Sequence, residues 1–156
     1  MAIADLQRQI LAWVEQRVDQ GRPLQIIMDE LHERQRMMLS DHRQPEERLR
    51  AFEAYNHAIR QLFNVMAERN ERGRRLEKLE KVDQAIPLYQ ANIADCMQAS
   101  LPYDRLRIIY TRQKRYEDAA WVCQAYLSLP DREHGQAKEH FRHHLEQLRR
   151  KIARER

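Results

Sequence analysis

The second half of the sequence repeats itself when it is shifted by 34 positions. The first copy covers about 66–99 and the second 102–130, and each reads as a helix, a short turn and a second helix. The best-matched pairs, first copy to second, are Leu76 with Tyr110, Val82 with Tyr116, Ala85 with Ala119, Ile86 with Ala120 and Tyr89 with Cys123. This period predicts a row of stacked helical hairpins, because a hairpin alone cannot bury its apolar face.

The rest of the chain also follows helical spacing. Only 3 Gly and 5 Pro occur among 156 residues, too few for the many turns of a β fold, and 42% hydrophobic residues argue against disorder. Apolar side chains recur with the helical period from the first residues onward. We therefore expect an all-α chain, and the predicted helices cover 3–20, 24–39, a long segment from Pro45, 83–98, 101–113, 116–129 and 135 to the basic tail.

The second copy of the repeat resembles a tetratricopeptide (TPR) repeat. The matching residues are Tyr103, Leu106 and Tyr110 on the first helix, Tyr116 and Ala119 at the start of the second, and Pro130 near the closing proline. The first copy resembles the family more weakly and keeps Gly73, Ala85 and Tyr89. The departures are Arg69, Arg72 and Arg107 at usually apolar or small positions, Asn92 and Tyr126 at a usually small site, and Glu80 and Lys114 in place of the turn glycine.

The resemblance implies helical hairpins stacked as a short TPR-like array with a C-terminal capping helix, and it does not extend to residues 1–65. We expect an N-terminal helical hairpin at 1–44 and the repeats with their capping helix at 45–156. The alternative is that the two parts form one continuous domain. The segment 40–45 reads as a loop. Two repeats are fewer than usually stand alone, so the helices of 1–65 or a second copy of the chain would complete the stack.

The same resemblance implies a protein-binding face. Its groove-facing positions are Asn70, Arg74 and Lys78 in the first copy and Asp104, Ile108 and Arg112 in the second. Such arrays hold a peptide or helix on their concave face. The three cations suit a carboxylate or acidic segment, whereas Asp104 would oppose one. The alternative for each position is an ordinary solvated helix face.

No residue pattern indicates catalysis, and we expect neither a cofactor nor a metal. His140, His143 and His144 lie within about one helical turn, and His140 and His144 could face one metal, but Glu139 is out of register and no Cys is near in sequence. Exposed histidines on a basic helix are therefore the better interpretation. Cys96 and Cys123 read as buried thiols of a reducing compartment. We therefore expect a non-enzymatic cytoplasmic adaptor or regulator. We expect no membrane segment, because every apolar run is far shorter than a membrane-spanning helix requires.

Two other functions stay open at this point. The formal net charge is +4, and the tail QLRRKIARER at 147–156 accounts for it with five cations and one Glu. This tail suggests a nucleic-acid-associated regulator, although it carries no aromatic residue and also complements a helix dipole. Reading of DNA by the segment 24–39 is disfavoured by its acidic residues Asp29, Glu30 and Glu33. The third hypothesis is a self-assembling helical subunit that dimerises through the apolar stripes of 3–39.

Overall fold

The computed structural model describes residues 3–38, 43–130 and 135–156, and all regular secondary structure in these ranges is helical. The elements are α1 (Ile3–Asp19), α2 (Leu24–Met38), α3 (Pro45–Lys78), α4 (Val82–Ala94), α5 (Leu101–Arg112), α6 (Tyr116–Leu127) and α7 (Gly135–Glu155). The all-α prediction is confirmed. The loop predicted at 40–45 lies partly outside the described residues, and α3 begins at Pro45, where the missing N–H of proline costs nothing.

The chain divides into two compact units, Met1–Glu68 and Arg69–Arg156. The division falls inside α3, whose sequence stays helical through the polar stretch 68–78. The boundary expected at 44/45 therefore lies within the first unit. No turn residue marks the boundary at position 68, because the helix continues through it without a break. The two units are separated by their packing contacts and not by a change in the local backbone.

The first unit is built from α1, α2 and the first part of α3. Gly21 ends α1 with a φ of 76°, a left-handed conformation that favours glycine. Arg17 of α1 reaches Glu30 of α2 at 3.0 Å, and the Arg17 and Arg34 guanidinium groups both lie over the Trp13 ring, at 3.8 and 4.4 Å from its centre. Glu30 and Arg34 are four positions apart on α2, a spacing that allows an ion pair, but the Arg34 guanidinium covers Trp13 and Glu30 contacts Arg17.

The second unit contains two hairpins whose helix boundaries repeat at the same offset as the sequence. The first helices end at Lys78 and Arg112, and the second helices begin at Val82 and Tyr116. Both turns place a non-glycine residue in the left-handed region, Glu80 with φ 60° and Lys114 with φ 59°. Each turn is closed by the same bond, from the Lys81 N–H to Leu76 and from the Arg115 N–H to Tyr110, both at 2.8 Å. The two turns thus share one backbone geometry.

Small and aromatic residues fill the core of this unit. Ala85 and Ala119, at equivalent places in α4 and α6, have no exposed surface. Tyr103, Tyr126 and Phe141 then form a chain of ring contacts from α5 through α6 to α7, with centroid distances of 5.1 and 4.2 Å. Since α7 presents Phe141, Leu145 and Leu148 to this core, it covers the last hairpin with its apolar face.

The largest departure from the predicted helices is at the end of α4. The sequence predicts a helix to residue 98, but α4 ends at Ala94 and Cys96 takes a φ of 58°. The N–H of Met97 then bonds to Asn92 at 3.0 Å, a closure typical of helix C-termini. A cysteine in this conformation carries no local sequence signal, which is why the spacing of apolar residues missed it.

Candidate partner-binding groove

The first helices of the two hairpins, α3 and α5, enclose a groove of about 390 Å³. We call it the α3–α5 groove. Its lining combines cations, one carboxylate and an apolar floor: Arg74, Glu77, Lys78, Val82, Arg105, Ile109, Arg112 and Gln113. On α5 the lining residues Arg105, Ile109 and Arg112 are spaced four and three apart, so they share one helix face.

Gly73 allows Tyr89 of α4 to pack closely against α3. A Cβ at Gly73 would lie 2.7 Å from the Cε1 and Cζ atoms of the Tyr89 ring, closer than real Cβ contacts. Tyr89 of α4 is fully buried, and its hydroxyl donates to the Glu77 carboxylate at 2.5 Å. Glycine inside a helix costs about 1 kcal/mol relative to alanine, so its presence in α3 requires a packing reason. The reason is the tyrosine ring packed against the backbone.

Glu77 links the two hairpins. Arg105 donates from Nη2 at 2.6 Å and from Nε at 3.1 and 3.2 Å, a two-pronged contact between guanidinium and carboxylate. Burial alone would raise the pKa of Glu77, but the hydrogen bonds from Arg105 and Tyr89 outweigh it and hold that pKa below its usual value. Glu77 is therefore ionised at neutral pH and neutralises Arg105.

The groove keeps a cationic surplus after this pairing. Its lining contains four cationic side chains and one carboxylate, a balance of +3. Arg74, Lys78 and Arg112 are exposed, and Glu77 is already engaged by Arg105. Three cations therefore face the open side of a groove with the apolar residues Val82 and Ile109 in its lining.

The structure brings three of the six predicted binding residues together and separates the others. Arg74, Lys78 and Arg112 line the groove, whereas Asn70 is buried and accepts a hydrogen bond from Asn92 at 2.8 Å. Asp104 and Ile108 do not line it, because the groove-facing stripe of α5 lies one residue further along the helix.

Sequence reasoning missed Glu77 and Arg105 as groove residues. Lys81 is four positions after Glu77 in the sequence, but it lies beyond the end of α3, and Glu77 contacts Arg105 of α5 instead. These two partners belong to different hairpins and are distant in the sequence, so no local pattern connects them. Only the stacking of one hairpin on the next brings them into contact.

Asp104 belongs to a second polar cluster, between α5 and α7. Its Oδ1 accepts from Arg107 and contacts His140 Nε2, both at 3.0 Å, and the Arg107 guanidinium reaches His144 Nδ1 at 3.4 Å. Burial and the nearby Arg107 charge lower the pKa of His144 to about 4, so this ring is neutral at pH 7. Among the described residues, no three His, Cys, Asp or Glu side chains are placed to hold a metal ion.

The remaining candidates fall into the packing of the second unit. Burial raises the pKa of the Cys123 thiol to about 11, so it is protonated at neutral pH and a poor nucleophile, whereas Cys96 is only half-buried. In the basic tail, Lys151 lies over the Tyr116 ring, Arg156 contacts Glu117 at 3.2 Å and Arg150 contacts Glu146 at 2.9 Å. Several cationic side chains of the tail therefore contact other residues of the chain.

No protein-family model, curated protein or solved structure matches the chain. In the parts of the chain that the structure describes, no helix has the length and apolar character needed to cross a membrane.

Proposed function

We propose that this chain is a non-enzymatic protein-interaction module of the cytoplasm, an adaptor or regulator that binds a partner segment in the α3–α5 groove. In this proposal the two hairpins are TPR-like repeats and α7 is their cap. The shared offset of helix ends and turn geometry supports the repeat assignment. The free thiols Cys96 and Cys123 fit a reducing compartment.

One observation carries the proposal: three exposed cations surround an apolar floor in a groove between successive hairpins. Solvated helix faces usually intersperse both signs of charge, whereas here the single carboxylate is engaged by Arg105. A groove with an apolar floor and a polar rim is the arrangement that binds peptide side chains. The nucleic-acid hypothesis has less support, since the tail cations Lys151 and Arg156 contact α6 residues.

Photo-crosslinking tests the proposal directly. A photoreactive amino acid replaces Gln113, which lines the groove, and in a control it replaces Gln124, an exposed residue of α6 that does not line it. Each variant is irradiated with a library of synthetic peptides. We expect peptide adducts at position 113 and few at 124. Equal adduct formation at the two positions, or none at 113, contradicts a binding groove.

A further inference from the structure

We propose that the occupant of the α3–α5 groove is an acidic protein segment in which an apolar residue is flanked by carboxylates. This inference rests on the proposed function and names its partner class. It also assigns Glu77 as a specificity-determining residue, which sets how strongly the groove selects negative charge.

Cationic side chains stand on both walls of the groove. Arg74 and Lys78 stand on α3, and Arg112 stands on α5, so cations border the groove on both sides. All three are exposed, which leaves their donors available to an incoming ligand. Carboxylates on either side of a segment lying between the walls would meet a cation at each side, and charge-assisted hydrogen bonds are the stronger kind.

The groove lining also contains apolar residues. Val82 is half-buried and offers apolar surface to the groove between the cationic walls, whereas Ile109 also lines the groove but keeps only 3% of its surface exposed. A peptide segment with only charged side chains would leave this apolar surface exposed to water. One aliphatic or aromatic side chain between the carboxylates would cover it and gain the free energy of apolar burial.

The floor also argues for a protein segment over a nucleic acid. Single-stranded nucleic acids bind through aromatic platforms on which their bases stack. None of the described residues that line the groove is aromatic, and the nearby Tyr89 ring is fully buried against Gly73. An acidic protein segment satisfies the same cations without needing a stacking partner.

Glu77 limits this selectivity because it neutralises Arg105 in the wall. Its carboxylate takes all three contacts that the Arg105 guanidinium makes there. An isosteric Glu77→Gln substitution keeps a hydrogen-bond acceptor but removes the charge, so the groove balance rises by one. The charge proposal therefore predicts that removing this side chain's charge strengthens acidic-ligand binding, the opposite of what a loss of structure would do.

Three synthetic peptides test the proposal. They share a central Leu and differ only in their flanking residues, which are Glu, Gln or Lys. Binding is measured by fluorescence anisotropy on the full chain, with folding of each variant checked by circular dichroism. We expect the Glu peptide to bind at least about tenfold tighter than the Gln peptide, since charged partners strengthen hydrogen bonds. The Lys peptide should not bind.

Three variants complete the experiment. Arg74→Glu/Arg112→Glu should weaken the Glu peptide at least about tenfold, and Glu77→Gln should tighten it by roughly two- to fivefold. The matched control Arg149→Glu/Arg154→Glu makes the same change in net charge at two exposed positions of α7. It should change binding less than about twofold, because neither residue lines the groove and physiological salt screens exposed charges over roughly 8 Å. If Glu77→Gln does not fold, Glu77→Ser replaces it with the same expected direction.

The outcomes separate the two proposals. Equal binding of the Glu and Gln peptides, or equal losses in the groove and control variants, overturns the acidic segment even while crosslinks at Gln113 support a binding groove. Absence of those crosslinks overturns both. A single-stranded oligonucleotide that binds through Arg74 and Arg112 more tightly than the Glu peptide assigns the groove to nucleic acid and also overturns the inference.

Discussion

Substitution of Gly73 by alanine tests how α3 packs on α4. Helix propensity alone predicts that Gly73→Ala stabilises the chain by about 1 kcal/mol, because glycine is costly inside a helix. The structure predicts instead that Gly73→Ala lowers the free energy of unfolding. The new Cβ would lie 2.7 Å from two Tyr89 ring atoms and 3.0 Å from its hydroxyl oxygen.

The magnitude follows from how little Tyr89 is able to move. The ring is fully buried, and its hydroxyl is fixed by the bond to Glu77. Overpacking of a filled core costs about 1–3 kcal/mol. Two clashing ring atoms and a fixed hydroxyl place Gly73→Ala toward the upper end of that range. After subtraction of the propensity gain, we expect a net loss of about 1–2 kcal/mol.

Urea denaturation followed by circular dichroism measures the free energy of unfolding. The matched cycle adds Tyr89→Leu and the double variant, in which the shortened side chain leaves room for the alanine. We expect the cost of Gly73→Ala to disappear or reverse in the Tyr89→Leu background, a coupling of about 1 kcal/mol or more. A Gly73→Ala chain that is more stable than wild type, or purely additive variants, would refute the packing argument.

Two further predictions concern the second unit. Tyr103→Phe removes the hydroxyl that donates to the Met97 carbonyl at 2.8 Å in a buried site, so denaturation should show a loss of about 1–2 kcal/mol, and an unchanged stability would contradict this. The lowered pKa of His144 predicts that stability falls as the pH is lowered from about 6.5 to 4, because the unfolded chain binds a proton there that the folded chain does not. Denaturation at a series of pH values should show a shallower fall in stability for His144→Gln than for wild type, and an equal fall in the two proteins would contradict the lowered pKa of His144.

Much of the fold follows from local sequence signals. Apolar spacing predicts the helices, and Gly21 and Pro45 mark helix ends where the structure has them. The repeat offset also predicts the matching helix boundaries of the two hairpins. These features depend on residues close in the chain, so one sequence is enough to read them.

The missed features depend on distant partners. Cys96 ends a helix without being glycine, and Glu77 contacts Arg105 of the next hairpin instead of the neighbouring Lys81. Asn70 repeats the spacing of Arg74 and Lys78, yet Asn92 packs against it and buries it. Helical spacing tells which face of a helix a residue occupies, but it does not tell which residues of the next hairpin pack against that face.

Methyl NMR of the full chain gives the most direct test of a binding groove between α3 and α5. Val82 and Ile109 supply methyl groups in its lining, while Ile10 and Ile59 report on the first unit. On titration with the Glu-flanked peptide, we expect saturable shifts at Val82 and Ile109 that vanish in Arg74→Glu/Arg112→Glu. Shifts confined to methyl groups elsewhere, with Val82 and Ile109 unchanged at saturation, would contradict the account.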